Sequence, residues 1–294
     1  ATNMYAKAFG RARPVRNFGI SLCTPTTSTT TITNSGAYIW NGQTYNASGT
    51  YTWTGTNAAG CDSIATLNLT IPVVNGPLCT SYINRTTANG LPENDVRSIF
   101  VSGNKVYAGG FTAPGLSIST NDGETFVNRT TANGLGSNII LSIYASGDTV
   151  YVGTTGGLSI SFDGGETFTN RTTSDGLASL ICKKVTSFGG KIYVGTNSGL
   201  CISSNGGSTF ITRTTADGLG GNNIFGISIS ENTIYVGTQS GVSVSTNGGT
   251  SFTTYTNGLP TNAINALHAS GNIVYAGTAS GLSISTDNGQ NYTA

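Results

Sequence analysis

The chain has 294 residues, enough for one large all-β domain or for two domains. Glycine fills 42 positions and charged residues make up only 9%. This turn-rich, charge-poor balance suits many short strands and argues against a helical enzyme core. The formal net charge is +1, and no apolar run approaches the ~18 residues that a membrane-spanning helix needs.

In chain order, residues 1–20 show no period and read as an extended arm. Lys7, Arg11, Arg13 and Arg16 all precede the first acidic residue, Asp62. Four positive charges could touch an acidic surface but are too few for nucleic-acid binding. The arm starts at Ala1 without Met and without an apolar signal segment, as expected of a secreted chain whose leader has been removed. Residues 21–73 read as a small Thr-rich, β-sandwich-like domain. Aromatic alternation runs through Tyr38-Ile39-Trp40, Gln43-Thr44-Tyr45 and Tyr51-Thr52-Trp53, with turn signals at Asn41-Gly42 and Ser48-Gly49. A last alternating strand, Ala65 to Ile71, leads into a linker at 74–80 that contains Asn75-Gly76-Pro77. One disulfide is expected here in an oxidising compartment: Cys23 with Cys61 first, Cys61 with Cys79 second.

From residue 81 to 294 the sequence repeats. Gly-Leu-Ser-Ile-Ser at 115–119 recurs at 157 and 281 and, as Gly-Leu-Cys-Ile-Ser and Gly-Val-Ser-Val-Ser, at 199 and 241, in steps of 42, 42, 42 and 40 residues. A Tyr-x-Gly marker follows at Tyr107, Tyr151, Tyr193, Tyr235 and Tyr275, and Gly-Leu at Gly90, Gly134, Gly176, Gly218 and Gly258. The second repeat reads as four strands: Ile139 to Ala145, Thr149 to Gly153, Leu158 to Ser161 and Thr167 to Thr172, with Gly-rich turns between them. Four short antiparallel strands in ~40–45 residues make one propeller blade. The fold class expected is therefore all-β: a five-bladed β-propeller with four-stranded blades, behind the small domain and the arm. One strand is left over. Tyr82 to Thr87 duplicates the fourth-strand segment at Val127 to Thr131, while the last copy stops at Ala294. Closure of the ring by this early strand is the default expectation, and pairing with another molecule's edge is the alternative.

Ser161-Phe162-Asp163-Gly164-Gly165-Glu166-Thr167-Phe168 resembles the Asp-box signature, with further copies around Asn121, Asn205, Asn247 and Asp287. Such boxes resemble the hairpin turns of sialidases, sortilin-type receptors and many secreted propellers. The Asn-Gly-Leu and Tyr-Val-Gly-Thr halves look like the propeller repeat of two-component sensor ectodomains. Asn replaces Asp in three boxes; both cap tight turns, so the turn survives and a metal role recedes. The small domain resembles repeat modules of surface proteins exported by the type IX pathway, through Tyr-x-Trp-Asn-Gly at 38–42, Ser-Gly-Thr-Tyr at 48–51 and Gly-Cys-Asp-Ser at 60–63. That family carries a second Cys near Ser35, absent here. By the same resemblance Ser63 and Thr149 are candidate O-glycosylation sites.

The chemistry of known enzymes finds few parts. Arg85, Arg129, Arg171 and Arg213 occupy one repeat position, with Tyr255 fifth, so symmetry spreads them and they cannot converge on one substrate. They are candidate binding positions for repeated glycan or protein contacts, or outer-strand structural residues. The acids sit mostly in turns, without a facing pair for glycoside hydrolysis. His268 is the single histidine, so a Ser-His-Asp or zinc arrangement lacks parts. Cys182 and Cys201 fall on the first and third strands of one blade, roughly 9–10 Å apart where a disulfide needs about 7 Å, and are expected to be free thiols. No catalytic residue, cofactor or metal is expected. The leading expectation is a secreted, cell-surface structural or adhesive protein whose partner is another copy of itself or other surface proteins, with neither nucleic acid nor a membrane span involved. A lectin-like multivalent glycan binder comes second, and a glycoside hydrolase third.

Overall fold

The computed structural model describes residues 24–34, 37–57, 60–71, 83–111 and 115–293. The arm at 1–20, Cys23, the linker at 74–80 and Cys79 lie outside them. The chain divides into two units, Ala1–Tyr82 and Ile83–Ala294.

In the first unit, β1 (Thr26–Thr33), β2 (Tyr38–Trp40), β3 (Gln43–Tyr45), β4 (Gly49–Thr56) and β5 (Asp62–Thr70) form a three-stranded sheet and a hairpin. The sheet has the order β1-β5-β4, with β1 parallel and β4 antiparallel to β5, and β2 pairs with β3 across Asn41-Gly42. Asn41 has φ 49 and Gly42 φ 78, the left-handed pair that such a two-residue turn requires. The hairpin meets the sheet through Tyr45 and Tyr51, whose rings lie 4.2 Å apart. Leu67, Leu69 and Cys61 are buried. Cys61 is disulfide-bonded, and both candidate partners fall outside the described residues.

The second unit is a run of antiparallel blades. The first holds β6 (Val96–Ser102), β7 (Lys105–Gly110), β8 (Leu116–Ser119) and β9 (Val127–Arg129); the second β10 (Ile140–Ser146), β11 (Thr149–Thr154), β12 (Gly157–Ser161) and β13 (Thr169–Arg171). The third holds β14 (Cys182–Phe188), β15 (Lys191–Thr196), β16 (Leu200–Ser203) and β17 (Ile211–Arg213); the fourth β18 (Ile224–Ser230), β19 (Thr233–Thr238), β20 (Gly241–Ser245) and β21 (Thr253–Tyr255). The fifth has β22 (Ile264–Ser270), β23 (Ile273–Thr278) and β24 (Gly281–Ser285), with a single bridge from Ile284 to Thr293 in the fourth-strand place. Each sheet runs in sequence order. Alternation along the strands sends one set of side chains to each face, and blades stack so that both faces are covered.

The contact between blades follows one rule. Tyr107, Leu116 and Ile118 of blade 1 pack into Ile140, Ile143, Ala145, Val150, Val152 and Phe168 of blade 2. Tyr151, Leu158 and Ile160 pack in the same way on blade 3. Tyr193 and Leu200 do so on blade 4, and Tyr235 and Val242 on blade 5. Where the second strand of one blade meets the first strand of the next, glycine is a steric requirement: a Cβ on Gly153 of β11 would lie 2.3 Å from the carbonyl oxygen of Cys182 on β14. Between blades a short 3₁₀ turn is capped by threonine, as at Thr130, and ends on Gly134 at φ 93. The amide of Phe168 in the following box donates to the Asn133 carbonyl at 2.8 Å. A Cβ on Gly134 would stand 2.0 Å from the Phe168 carbonyl oxygen.

This rule does not close on itself, which corrects the default expectation of a ring sealed by the early strand. On blade 1 Val96, Ile99 and Val101 are 40%, 65% and 57% exposed, whereas their counterparts Ile140, Ile143 and Ala145 are at 0%, 5% and 5%. On blade 5 Leu282 and Ile284 are 56% and 37% exposed, against 0% and 1% for Leu158 and Ile160. The unit is an open array with four internal interfaces and two uncovered end faces. Four of the expected four-stranded antiparallel blades are present, and the fifth sheet has three strands and one bridge; the repeat period defines each blade and its neighbour contact but not the rotation per blade, which decides closure.

Leu158 and Leu282 hold the same repeat position and separate these cases. Leu158→Ala should cost about 2–5 kcal/mol through lost transfer energy and a cavity. Leu282→Ala should stay within about 0.5 kcal/mol in dilute solution. Denaturant titration of the two variants checks this.

Candidate functional site

The boxes are hydrogen-bonded turns. Ser161 Oγ donates to Asp163 Oδ1 at 2.6 Å and accepts from the Gly165 amide at 2.9 Å. Asp163 also accepts from the Glu166 and Thr167 amides and the Thr167 hydroxyl. Asn121 and Asn205 keep this arrangement with the amide reversed in role, their Nδ2 donating to Thr125 and Thr209. Asn247 donates to Ser251, and Asp287 accepts from Asn291. These donors hold the Asp163 and Asp287 carboxyls well below the usual carboxylate range, the serine hydroxyls contributing most. The acceptors are turned inward to their own turn, and no group of three or more metal-ligating side chains occurs among the described residues.

The four arginines reach the boxes. Arg85 Nε donates to the Gly123 carbonyl at 2.9 Å, Arg129 to Gly165 at 3.2 Å, Arg171 to Gly207 at 2.7 Å and Arg213 to Gly249 at 2.9 Å. Each therefore ties one fourth-strand segment to the next blade's box turn. Arg129 also pairs with Glu166, and Arg213 with Asp217. The structure does not bring these guanidinium groups together. Ser63 lies on β5 with its hydroxyl 2.8 Å from Thr26, and Thr149 opens β11, half-buried. Cys182 and Cys201 are free, buried thiols. Burial pushes Cys182 up to about 12 and raises Cys201 as well, so neither is poised as a nucleophile. Cys201 replaces the serine of the repeat and accepts the Ala178 amide at 3.2 Å, as Ser159 accepts Gly136. His268 is exposed on β22.

Two concavities on the second unit escaped the sequence reading. The first, of about 470 Å³, is lined by Phe111, Leu141, Thr155, Ile181, Lys183 and Phe225. The Arg97 guanidinium stands 5.1 Å from the Phe111 ring centroid, and the Lys183 ammonium 4.8 Å from that of Phe225. Arg97 is neutralised by Asp95 at 2.9 Å, whereas Lys183 donates to the Asn223 side-chain oxygen. Arg97, Leu141, Lys183, Phe225 and Asn265 share one first-strand position, the signal being that this position changes character in every repeat. The second concavity, of about 520 Å³, is the uncovered face of blade 1, walled by Leu91, Val96, Ile99, Val101 and Phe126 with Ile83, Asn84 and Arg85 along one rim.

No protein-family model matches the chain, and no curated protein matches it. Solved structures share its fold. The extracellular domain of a protein described as a hybrid two component system of B. thetaiotaomicron matches at TM-score 0.59 and 19% identity, over 84% of this chain and 35% of that one. PorZ, a bacterial surface component of the type-IX secretion system of Porphyromonas gingivalis, matches at 0.52 and 13%, over 67% of this chain and 27% of that one. An ancestral GH74 enzyme matches at 0.50 and 21%, over 62% and 27%. The chain thus spans only about a quarter to a third of the length of these proteins. At these identities the likeness shows the fold, an all-β array of propeller blades. No helix among the described residues is long and apolar enough to cross a membrane.

Two predictions follow from the ties. Arg171→Ala should cost about 1–2 kcal/mol, a charge-assisted bond at a half-buried site, measured by denaturant titration. The boxes should also set part of the acid sensitivity. A folded-state carboxyl held below its unfolded value of ~3.9 stabilises the fold above that pH and loses the contribution as pH falls. The Asp163→Asn, Asp287→Asn double variant should have a slightly lower thermal midpoint at pH 7 and a shallower decline between pH 5 and pH 2 than the wild type.

Proposed function

We propose that the chain is an extracellular, non-catalytic structural protein of the cell surface that associates with its own kind. The observation that carries this reading is the open array, which displays at its two ends the two halves of an interface that it makes four times internally. Exposed apolar faces of this kind mark association sites. The extracellular and surface settings named for two of the fold neighbours support the location. The chemistry is consistent with a non-catalytic role: the arginines tie blades together, the box acceptors are bonded within their own turns, and the two thiols are held protonated.

A second reading, a binding propeller, is favoured by the cleft at Phe111, Lys183 and Phe225, where aromatic faces and a lysine without an acidic neighbour suit an acidic glycan or peptide. Repeated glycan sites at the four arginines are less favoured, because each Nε is already bonded to a box carbonyl.

Sedimentation velocity of the full chain over a wide concentration range tests the first reading, with growing oligomers expected. A single monomeric boundary up to millimolar protein would discard it. An array of acidic glycans probed with the wild type and with Lys183→Ala tests the second.

A further inference from the structure

Four times within the chain, an aromatic and aliphatic face of one blade fills the aliphatic face of the next. At the two ends the same halves stand apart: Tyr275, Leu282 and Ile284 on blade 5, and the cavity of about 520 Å³ on blade 1. A second observation, independent of apolar exposure, lies between them at Ser283. Its hydroxyl is fully buried and has no hydrogen-bond partner among the described residues. At the same repeat position Ser117 donates to Asn128 at 3.0 Å, Ser159 donates to Asn170 at 3.2 Å, and Ser243 shares a 2.8 Å bond with Thr254. The partner on the adjacent strand is in each case a fourth-strand side chain; Ser159 and Ser243 also accept the Gly136 and Gly220 amides, a donor that blade 5 lacks because Pro260 stands there. By alignment of Tyr292-Thr293-Ala294 with Phe126-Val127-Asn128, the sequence counterpart of Asn128 in the last repeat is Ala294, a residue type with no polar side chain. Its polar counterpart in the chain is Asn84, because Ile83-Asn84-Arg85 aligns with Val127-Asn128-Arg129. Arg85 already holds the Gly123 carbonyl of blade 1, as Arg129 holds Gly165 of blade 2. The segment from Ile83 therefore sits against blade 1 in the manner of a fourth strand belonging to a preceding blade.

Building on the self-association reading, we propose that blade 5 of one copy docks on blade 1 of a second copy, which supplies its own Asn84 and Arg85 as the fourth strand. The register is that of blade 2, where Ser159 faces Asn170 and Leu158 faces Arg171. Asn84 then meets the orphaned Ser283, and Arg85 lies opposite Leu282. Ile83 takes the place opposite Ile284, displacing Thr293 from its single bridge. Tyr275, Leu282 and Ile284 enter the cavity walled by Val96, Ile99 and Val101. Among the described residues of the second unit, Thr293 is the one whose pairing is replaced. The two surfaces differ, so the contact is heterologous, and copies add head to tail with a strand completed across each junction.

The test uses the full chain and paired charge variants, followed by mass photometry and sedimentation. The wild type should give dimers, trimers and longer species as concentration rises. Ile99→Glu spoils the blade 1 face and Leu282→Glu the blade 5 face, and each alone should be monomeric. Both positions are exposed, so circular dichroism should be unchanged. An equimolar mixture should form dimers and nothing longer, because each partner retains one competent face. Asn84→Ala should weaken association about threefold to tenfold, the effect of one neutral hydrogen bond. Asn84→Thr should restore it, since threonine fills that role at Thr254. A mixture that stays monomeric, or a single charge variant that still dimerises, overturns the proposal. Wild-type oligomers that survive both charge substitutions would remove this junction while leaving self-association standing. A wild type monomeric throughout would remove both.

Discussion

The second unit depends on one interaction: the burial of a Tyr-Leu-Ile face of each blade in the aliphatic face of its successor. A four-stranded sheet this small has no interior of its own. Leu116, Leu158, Leu200 and Val242 are at 0% exposure because a neighbouring blade covers them, not because their own sheet does. The hydrogen-bonded devices at each junction serve that contact. The arginine holds the next box carbonyl, the 3₁₀ turn accepts the next box amide, and the glycines let the backbones come within reach. In a chain with 9% charged residues, neutral hydrogen bonds among Ser, Thr and Asn do much of the alignment that ion pairs do elsewhere.

Most of this was legible because repetition is a strong signal. Strand limits, box turns and the thiol state of Cys182 and Cys201 follow from alternation, spacing and strand geometry within one repeat. The sign of the arginine argument was also visible: one repeat position cannot gather at a centre. Their bonding partner was not, since it lies in the following blade, 36 residues away along the chain. The open ends were less legible still. Val96, Ile99 and Val101 look like any other first-strand residues, and only the missing neighbour makes them surface. The cleft at Lys183 and Phe225 was hidden for the opposite reason, because it is built where the repeats disagree and a search for sameness passes over such positions.

This contrast bears on where function resides in a repeat protein. Residues that recur are bound to recurring structural tasks: Ser161 and its equivalents close a turn, and Arg171 and its equivalents span a junction. Information beyond the fold has to come from a broken symmetry, either a position that differs between blades or an end at which the pattern stops. Cys201 shows that a departure can also be structurally silent, since sulfur accepts the same amide that serine oxygen does elsewhere.

The end faces also set the scale of any association. Side chains such as Ile99, Val101 and Leu282 are already partly covered, so completing their burial yields about 1 kcal/mol each by area. Five such groups together give about 5 kcal/mol, little more than the lower end of the ~4–15 kcal/mol that ordering two molecules costs. Apolar contact alone would therefore give a weak junction. Inside the chain this cost does not arise, because covalent connection holds consecutive blades together. Between chains the difference has to be met by directional bonds, and the buried, unsatisfied Ser283 is where one is lacking. A hydroxyl left without a partner penalises the separated state and rewards the joined one, so it can favour a particular register where a greasy face alone would accept many.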